Sequence, residues 1–159
     1  MLFYDFEVFT HDWLVVIMDT DTHKTSHIIN DRKALISFYE QHKDNIWCGY
    51  NSRSYDQYIL KSILLDFNPK EVNDWIIKDH KPAWQYSSLF NKIQLFNYDV
   101  MTDRGHSLKQ LEGFLGNNIK ETSVPFDIDR KLTAAEIQET IKYCTSDVMN
   151  TINVFIQRK

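Results

Sequence analysis

The stretch that most constrains this chain is its opening, Leu2 to Phe9, which reads Leu-Phe-Tyr-Asp-Phe-Glu-Val-Phe. Its aromatic and β-branched content predicts a strand. Within that strand stand two acids, Asp5 and Glu7. Side chains alternate across a strand, so the two carboxylates leave the same face, one behind the other. An edge strand with a wet face would accommodate them. Burying them side by side is costly unless positive charge lies between them, and a divalent metal ion supplies that charge. The rest of the chain decides between these two readings.

At 159 residues, with little Gly or Pro and no repeat, the chain is expected to form a single domain over residues 1–159. No long apolar run and no signal-peptide pattern stands in it, so a soluble, unexported, cytoplasmic protein with no membrane partner is expected. Cys48 and Cys144 are far apart and flanked by apolar or aromatic residues. They read as reduced, buried thiols, not as a disulfide or a zinc site. The formal net charge is −4. A protein that grips a duplex through many phosphates carries a basic excess, so nucleic-acid contact here must be short, local or carried by bound cations.

After the first strand, Trp13 to Met18 and Thr25 to Asn30 predict two more strands around the polar turn Asp19-Thr20-Asp21-Thr22. Asp31 caps a helix from about Arg32 to Lys43, and Ile46 to Tyr50 is a short buried strand. A second helix spans about Tyr55 to Phe67, with Tyr55, Ile59, Ile63 and Phe67 spaced four apart. Asn68-Pro69 opens a third, to about Lys78. His80 to Phe90 is aromatic and aperiodic, and Ile93 to Val100 predicts a fifth strand. Ser107 to Gln110 is a capping box leading a helix that stops at Gly116, followed by a loop from Asn117 to Leu132. A second capping box, Thr133 to Glu136, starts the last helix, whose apolar stripe is Ile137, Ile141, Cys144, Val148, Ile152 and Phe155. A three-strand meander followed by strand–helix crossovers predicts an α/β fold, a ribonuclease-H-like mixed five-stranded sheet with helices on both faces.

Three further acids bear on the first-strand pair. Asp56 follows Asn51-Ser-Arg-Ser-Tyr55, where a buried strand gives way to a helix, the kind of position where open α/β sheets bind ligands. Its bland reading is an acid in the first turn of a helix, favoured by the dipole. Tyr143 and Asp147 are four apart on the last helix and share a face that flanks its apolar stripe. Asp99, near the end of the fifth strand, reads as a turn or cap residue, with contact to the site as its alternative.

Together these pieces resemble the DEDD (DnaQ-like) superfamily of 3′–5′ exonucleases, in its tyrosine-bearing branch, over essentially the whole chain. Tyr4-Asp5-Phe6-Glu7 resembles the first exonuclease motif. Asn51 with Tyr55-Asp56 resembles the second, in the form found in proofreading domains of family B DNA polymerases. Tyr143-x-x-x-Asp147 resembles the third. The chain is also similar to small exonuclease-like proteins of bacteriophages. It departs from the family B pattern at Val8, where Thr is common, and in lacking an identifiable site lysine.

The resemblance implies a two-metal-ion phosphodiester hydrolase acting on the 3′ end of single-stranded DNA, with Mg²⁺ or Mn²⁺ as cofactors. It implies that Asp5 bridges the ions, that Glu7 and Asp147 complete the water-activating site, and that Asp56 holds the second ion. The resemblance also implies that Tyr143 orients the attacking water, a phenol being a poor base near neutral pH. Asn51 and Tyr55 are candidates for contact with the terminal nucleotides, Tyr55 having core packing as its alternative. The implied partners are the nucleic acid and a polymerase domain or other replication proteins, in the host cytoplasm for a phage protein; the chain's end just after the last helix is where such a module would join a polymerase. An exoribonuclease on the same site and a catalytically silent binding module are the alternatives. The aromatic residues Trp75, Trp84, Tyr86 and Phe90 read as core before they read as a base-stacking surface.

Overall fold

A computed structural model describes residues 1–101 and 124–157. The predicted capping box at Ser107 and the helix after it lie outside the described residues, as does the first part of the predicted loop, residues 117–123.

Strand β1 (Leu2–Val8) pairs antiparallel with β2 (Trp13–Asp19) from Leu2↔Asp19 to Val8↔Trp13, and β2 pairs antiparallel with β3 (Lys24–Ile29). Helix α1 (Arg32–His42) then crosses to β4 (Ile46–Gly49), which lies parallel to β1 on its other side. Helices α2 (Asp56–Leu64) and α3 (Pro69–Ile77) lead to β5 (Phe96–Asp99), parallel to β4. The long α4 (Ala134–Gln157) closes the described chain. The sheet order is β3-β2-β1-β4-β5. This is the ribonuclease-H-like mixed sheet that the sequence predicts. Among the described residues no helix is long and apolar enough to cross a membrane.

Alternation along β1 sorts the core into two layers. Leu2, Tyr4, Phe6 and Val8 join Leu35 of α1, Ile59, Leu60 and Ile63 of α2, and Val72 of α3 in one cluster. Phe3 joins Cys144, Val148 and Val154 of α4 on the opposite face. Asp5 and Glu7 continue the Phe3 row, so they point to the α4 side.

The predicted caps form as local hydrogen bonds. Asp31 accepts from the Ala34 N–H at 3.0 Å, and Asn68 accepts from the Lys70 N–H at 2.9 Å. The Thr133–Glu136 box is reciprocal: Glu136 accepts from the Thr133 N–H at 2.9 Å and Thr133 Oγ1 from the Glu136 N–H at 3.2 Å.

Four boundaries or faces differ from expectation. β5 starts at Phe96, because a 3₁₀ turn over Ser88–Lys92 ends in an Ile93 N–H bonded back to the Phe90 carbonyl. α2 is shorter at both ends, with Tyr55 as its N-cap residue. The stretch from His80 resolves into 3₁₀ turns at Ala83–Gln85 and Ser88–Lys92, whose Tyr86 and Phe90 pack with Phe67 and Trp75. Trp84 stays outside, 63 % exposed. On α4 the buried row runs through Thr140, Cys144, Val148 and Thr151, and Ile152 and Phe155 are only partly covered. The threonines are accommodated because each hydroxyl donates to the carbonyl four residues back, Glu136 at 2.8 Å and Asp147 at 2.9 Å.

One buried acid fixes where α4 begins. Asp12, 5 % exposed, accepts from the Leu132 N–H at 2.8 Å and from Asn30 Nδ2 at 2.7 Å, with Lys131 Nζ at 3.4 Å. Asp12→Ala would leave a buried N–H and an amide without their acceptor. We expect it to cost ~1–3 kcal/mol, with Asp12→Asn costing less. Urea unfolding followed by circular dichroism measures both; a change for Asp12→Ala within ~0.5 kcal/mol of zero, the range of ordinary surface substitutions, would refute the anchoring role.

Candidate active site

The site lies where two parallel strands part. β4 pairs with β1 only at Leu2↔Trp47 and Phe3↔Cys48. Past that point the backbone of β1 has no strand on its β4 side, and a buried N–H there needs another acceptor. The Phe6 N–H donates to Asp56 Oδ1 at 3.0 Å. Asp56 is 3 % exposed and is the first residue of α2. It is therefore more than the helix-dipole acid of its bland reading.

The loop between β4 and α2 is built to deliver that carboxylate. At Gly49 a Cβ would sit 2.7 Å from the Ser52 Cβ, so only glycine lets the chain turn there without displacement. Asn51 takes a left-handed backbone, φ 59°, which Asn tolerates better than most residues. Asp99 then clamps the loop with both oxygens, accepting from the Asn51 N–H at 2.9 Å and the Arg53 N–H at 3.0 Å, and from the Met101 N–H at 2.9 Å. Asp99 is thus the turn residue that its sequence position suggests.

On the α4 side, the buried Cys144 thiol donates to the Asp5 carbonyl at 3.2 Å and approaches Asp5 Oδ2 at 3.5 Å. Ligand atoms of Asp5, Glu7 and Cys144 lie within 4.8 Å of one another. Asp147, one turn beyond Tyr143, and Asp56 stand outside this trio but within electrostatic reach of it. Burial first, and then the charges of Asp56, Glu7 and Asp147, raise the Asp5 carboxyl well above the ordinary carboxylate range. Burial also raises Asp56, to about 7; the Phe6 N–H opposes it, and Asp99 and Asp147 add to it. Burial, followed by Asp5, Glu7 and Asp147, raises the Cys144 thiol, so it stays neutral and serves as a donor. Tyr143 and Asp147 are half-buried.

Asn51 and Tyr55 line an adjoining cleft of about 420 Å³ at the carboxyl end of β1, together with Glu7, Lys70, Lys78 and Asp127. Tyr55 also packs on the core, and its hydroxyl donates to Asn73 Oδ1 at 2.5 Å, so its packing and cleft-lining roles coexist. The lysines and Asp127 were not among the residues the sequence singles out. The spacing Lys70, Asp74, Lys78 is a visible signal, since four-residue steps put all three on one helix face. Asp127 lies outside any periodic segment and carries no comparable signal.

Chemically, this is a patch of carboxylates, Asp56 buried and Asp5, Glu7 and Asp147 half-buried, in which desolvation and mutual repulsion raise Asp5 and Asp56. Such a patch keeps a proton at neutral pH or takes up a hard cation, for which carboxylate oxygens are the fitting donors. Compared with models of protein families and with curated protein sequences, the chain matches none.

The raised Asp56 has a consequence for stability. An acid with pKa 3.8 unfolded and about 7 folded binds more protons in the folded state between those values. Its contribution is fully present below pH 3.8 and is lost as pH rises through about 7. In EDTA the protein should therefore lose stability from pH 5 to pH 8, by more than the ~1.4 kcal/mol that one pKa unit is worth. Asp56→Asn, which keeps an acceptor for the Phe6 N–H, should flatten that slope and be the more stable form at pH 8. Equal slopes for the two proteins in chelator would show that Asp56 is not the group responsible.

Proposed function

We propose that this protein is a metal-dependent 3′–5′ exonuclease that hydrolyses phosphodiester bonds at the 3′ ends of single-stranded DNA. The observation that carries the reading is the Asp5 carboxyl, desolvated and pressed on by the charges of Asp56, Glu7 and Asp147, at the carboxyl end of a central strand. Separate segments, β1, the start of α2 and α4, supply these acids, which is costly for stability and sensible for cation binding. The order of motifs along the chain, Asp5 and Glu7, then Asn51, Tyr55 and Asp56, then Tyr143 and Asp147, supports the same reading.

Asp5 and Glu7 on β1, with Asp56 and Asp147 beside them, would hold two divalent ions such as Mg²⁺ or Mn²⁺. When bound, such ions lower the pKa of a water nucleophile and stabilise the oxygens that enter and leave at phosphorus. Binding would displace the protons that Asp5 and Asp56 hold in the free protein. Cys144 holds the Asp5 carbonyl with a neutral thiol that also approaches one carboxylate oxygen, Oδ2, and leaves Oδ1 to the cations. The Phe6 N–H holds one oxygen of Asp56 and leaves the other. Tyr143, one helical turn from Asp147 on α4, would orient the water that attacks. Asn51 and Tyr55, in the cleft next to Glu7, would receive the terminal nucleotides. The products are a 5′ mononucleotide and a strand shortened by one.

A 5′-labelled single-stranded oligonucleotide should shorten stepwise from its 3′ end with Mg²⁺ or Mn²⁺, and DNA and RNA strands run side by side fix the sugar preference. Asp5→Ala with Glu7→Ala should lower the rate ~10³-fold or more, since several kcal/mol of transition-state stabilisation would go with the ions. In EDTA at pH 8 the same variant should melt no lower than wild type, because it removes crowded like charges. Wild-type protein that leaves every strand intact, although folded and saturated with metal, would end the nuclease reading. Tyr143→Phe should slow turnover at least ~10-fold while the metal-induced rise in melting temperature stays unchanged. Undiminished turnover in that variant would take the water-orienting role from Tyr143.

A further inference from the structure

The cleft next to the acids holds two cations on a single oxygen. Lys70 Nζ lies 2.8 Å and Lys78 Nζ 3.0 Å from Asp127 Oδ1. Asp74, between the lysines on α3, pairs with Lys70 at 3.3 Å and reaches Lys78 at 4.0 Å. The Lys70 side chain is only 10 % exposed, while those of Lys78 and Asp127 are 52 % and 64 % exposed.

A structural ion pair does not require this arrangement. Asp74 and Asp127 already neutralise the buried Lys70, and an exposed Lys78 sharing the same oxygen adds little stability, as solvent-exposed pairs generally do. The arrangement does suit the recognition of an anion. Two ammonium groups converge on one point in an open cleft, and an exposed carboxylate oxygen occupies that point. A non-bridging phosphate oxygen has the same charge character and hydrogen-bonding geometry. The lysines hold the Asp127 carboxyl down at about 2, so it is an anion throughout the neutral range. The Asp127 side chain faces solvent, whereas Lys70 is largely buried and also paired with Asp74.

The cleft also has the apolar surface that a nucleotide needs and a bare anion does not. Phe126 is 46 % exposed and stacks on the buried Phe9 with ring centroids 5.2 Å apart, and Ile77 is 53 % exposed across the same cleft. A ring backed by a second ring and half open to solvent is a platform for a base.

We propose that Lys70 and Lys78 form a phosphate-binding subsite for the single strand, in the seat that Asp127 holds in the free protein, with Phe126 stacking a base alongside. This rests on the nuclease reading of the adjoining acids and adds to it the residues that grip the strand away from the reacting bond. Lys78 and Phe126 are positioning residues in this scheme. The strand displaces Asp127 from the lysines as its phosphate arrives.

The test measures binding apart from cleavage. The Asp5→Ala/Glu7→Ala protein, which does not consume the strand and does not repel it with those acids, is titrated into a 5′-fluorescent ten-residue oligothymidylate in EDTA at several salt concentrations. Adding Lys78→Gln should weaken binding at least ~5-fold and reduce the log–log salt slope by ~0.7, the value for one phosphate contact on a single strand. Lys78→Arg should restore both. Asp127→Asn should tighten binding several-fold. Phe126→Ala should weaken it ~5-fold or more with the slope unchanged, which separates stacking from charge. In the otherwise wild-type enzyme Lys78→Gln should raise KM and leave kcat within ~2-fold.

If Lys78→Gln and Asp127→Asn change only the melting temperature, with affinity and salt slope as in the parent, the pair is structural and the subsite is overturned while stepwise cleavage by wild type keeps the nuclease reading. If the slopes shift as stated but wild type cleaves nothing with Mg²⁺ or Mn²⁺, the subsite stands and the nuclease reading falls. A parent protein that binds no oligonucleotide even at low salt overturns the subsite outright.

Discussion

The hydrogen bond from the Phe6 N–H to Asp56 Oδ1, 3.0 Å long and buried, is the contact on which the rest of the site depends. In a continuous parallel sheet that N–H would be bonded to the next strand. Here β4 leaves β1 after Phe3, and a side chain takes over the acceptor's role. The substitution opens a gap at the carboxyl end of the central strand and fills it with a carboxylate. It also places the α2 acid against the strand that carries Asp5 and Glu7. The sheet supplies Asp5 and Glu7 from one side, and α4 brings Asp147 within electrostatic reach of Asp5 from the other. Each of these elements is held by its own anchor: the β4–α2 loop by Asp99, and the start of α4 by Asp12.

Crowding acids at that gap works against folding. Asp5 and Asp56 are desolvated and repel Glu7, Asp147 and Asp99, so both retain protons at a pH where ordinary carboxylates have lost them. A protein that needed only stability would place apolar side chains there. The neighbouring positions are indeed apolar or neutral. Phe3 precedes the acids on the same face of β1, and Cys144 meets Asp5 as an undissociated thiol. The cluster is therefore a local exception in a conventional core. Local exceptions of this kind mark functional sites more often than structural ones.

What could be read from the sequence was set by how far each feature reaches along the chain. The caps at Asp31, Asn68 and Thr133 involve residues two or three apart, and they form as their residue types dictate. The three-strand meander and the alternation that puts Asp5 and Glu7 together are equally local. The Asp12 anchor is not, since its partner Leu132 is 120 residues away and nothing near Asp12 in the sequence announces it. The same holds for Asp127 with Lys70, 57 residues apart. The buried stripe on α4 is rotated slightly from the one its apolar residues predict, because it includes Thr140 and Thr151. Their hydroxyls are satisfied by the helix itself, so they can face the core. Cys144 reads correctly as buried, but its contact with Asp5 depends on α4 crossing β1 at one height. That crossing is tertiary information.

On the proposed reading, the distribution of charge would let an acidic chain present itself to a polyanion. Net charge governs encounter at long range, but at ~8–10 Å, the screening length near physiological salt, only local charge counts. Around the end of β1 the acids of the site and the two lysines stand on neighbouring surfaces. The carboxylates of Asp5 and Glu7 project on the α4 side, and the ammonium groups of Lys70 and Lys78 project from α3 into the cleft that Glu7 borders. Asp127 joins the two lysines and conceals their charge while the cleft is free. In the proposed subsite, a ligand that brings its own phosphate would expose that charge only on arrival. A carboxylate held in place by the fold then competes with every anion that approaches, and only one that also fills the apolar wall at Phe126 gains enough to displace it. In such a site selectivity for a strand over a free phosphate follows from competition, with no need for a broad basic surface.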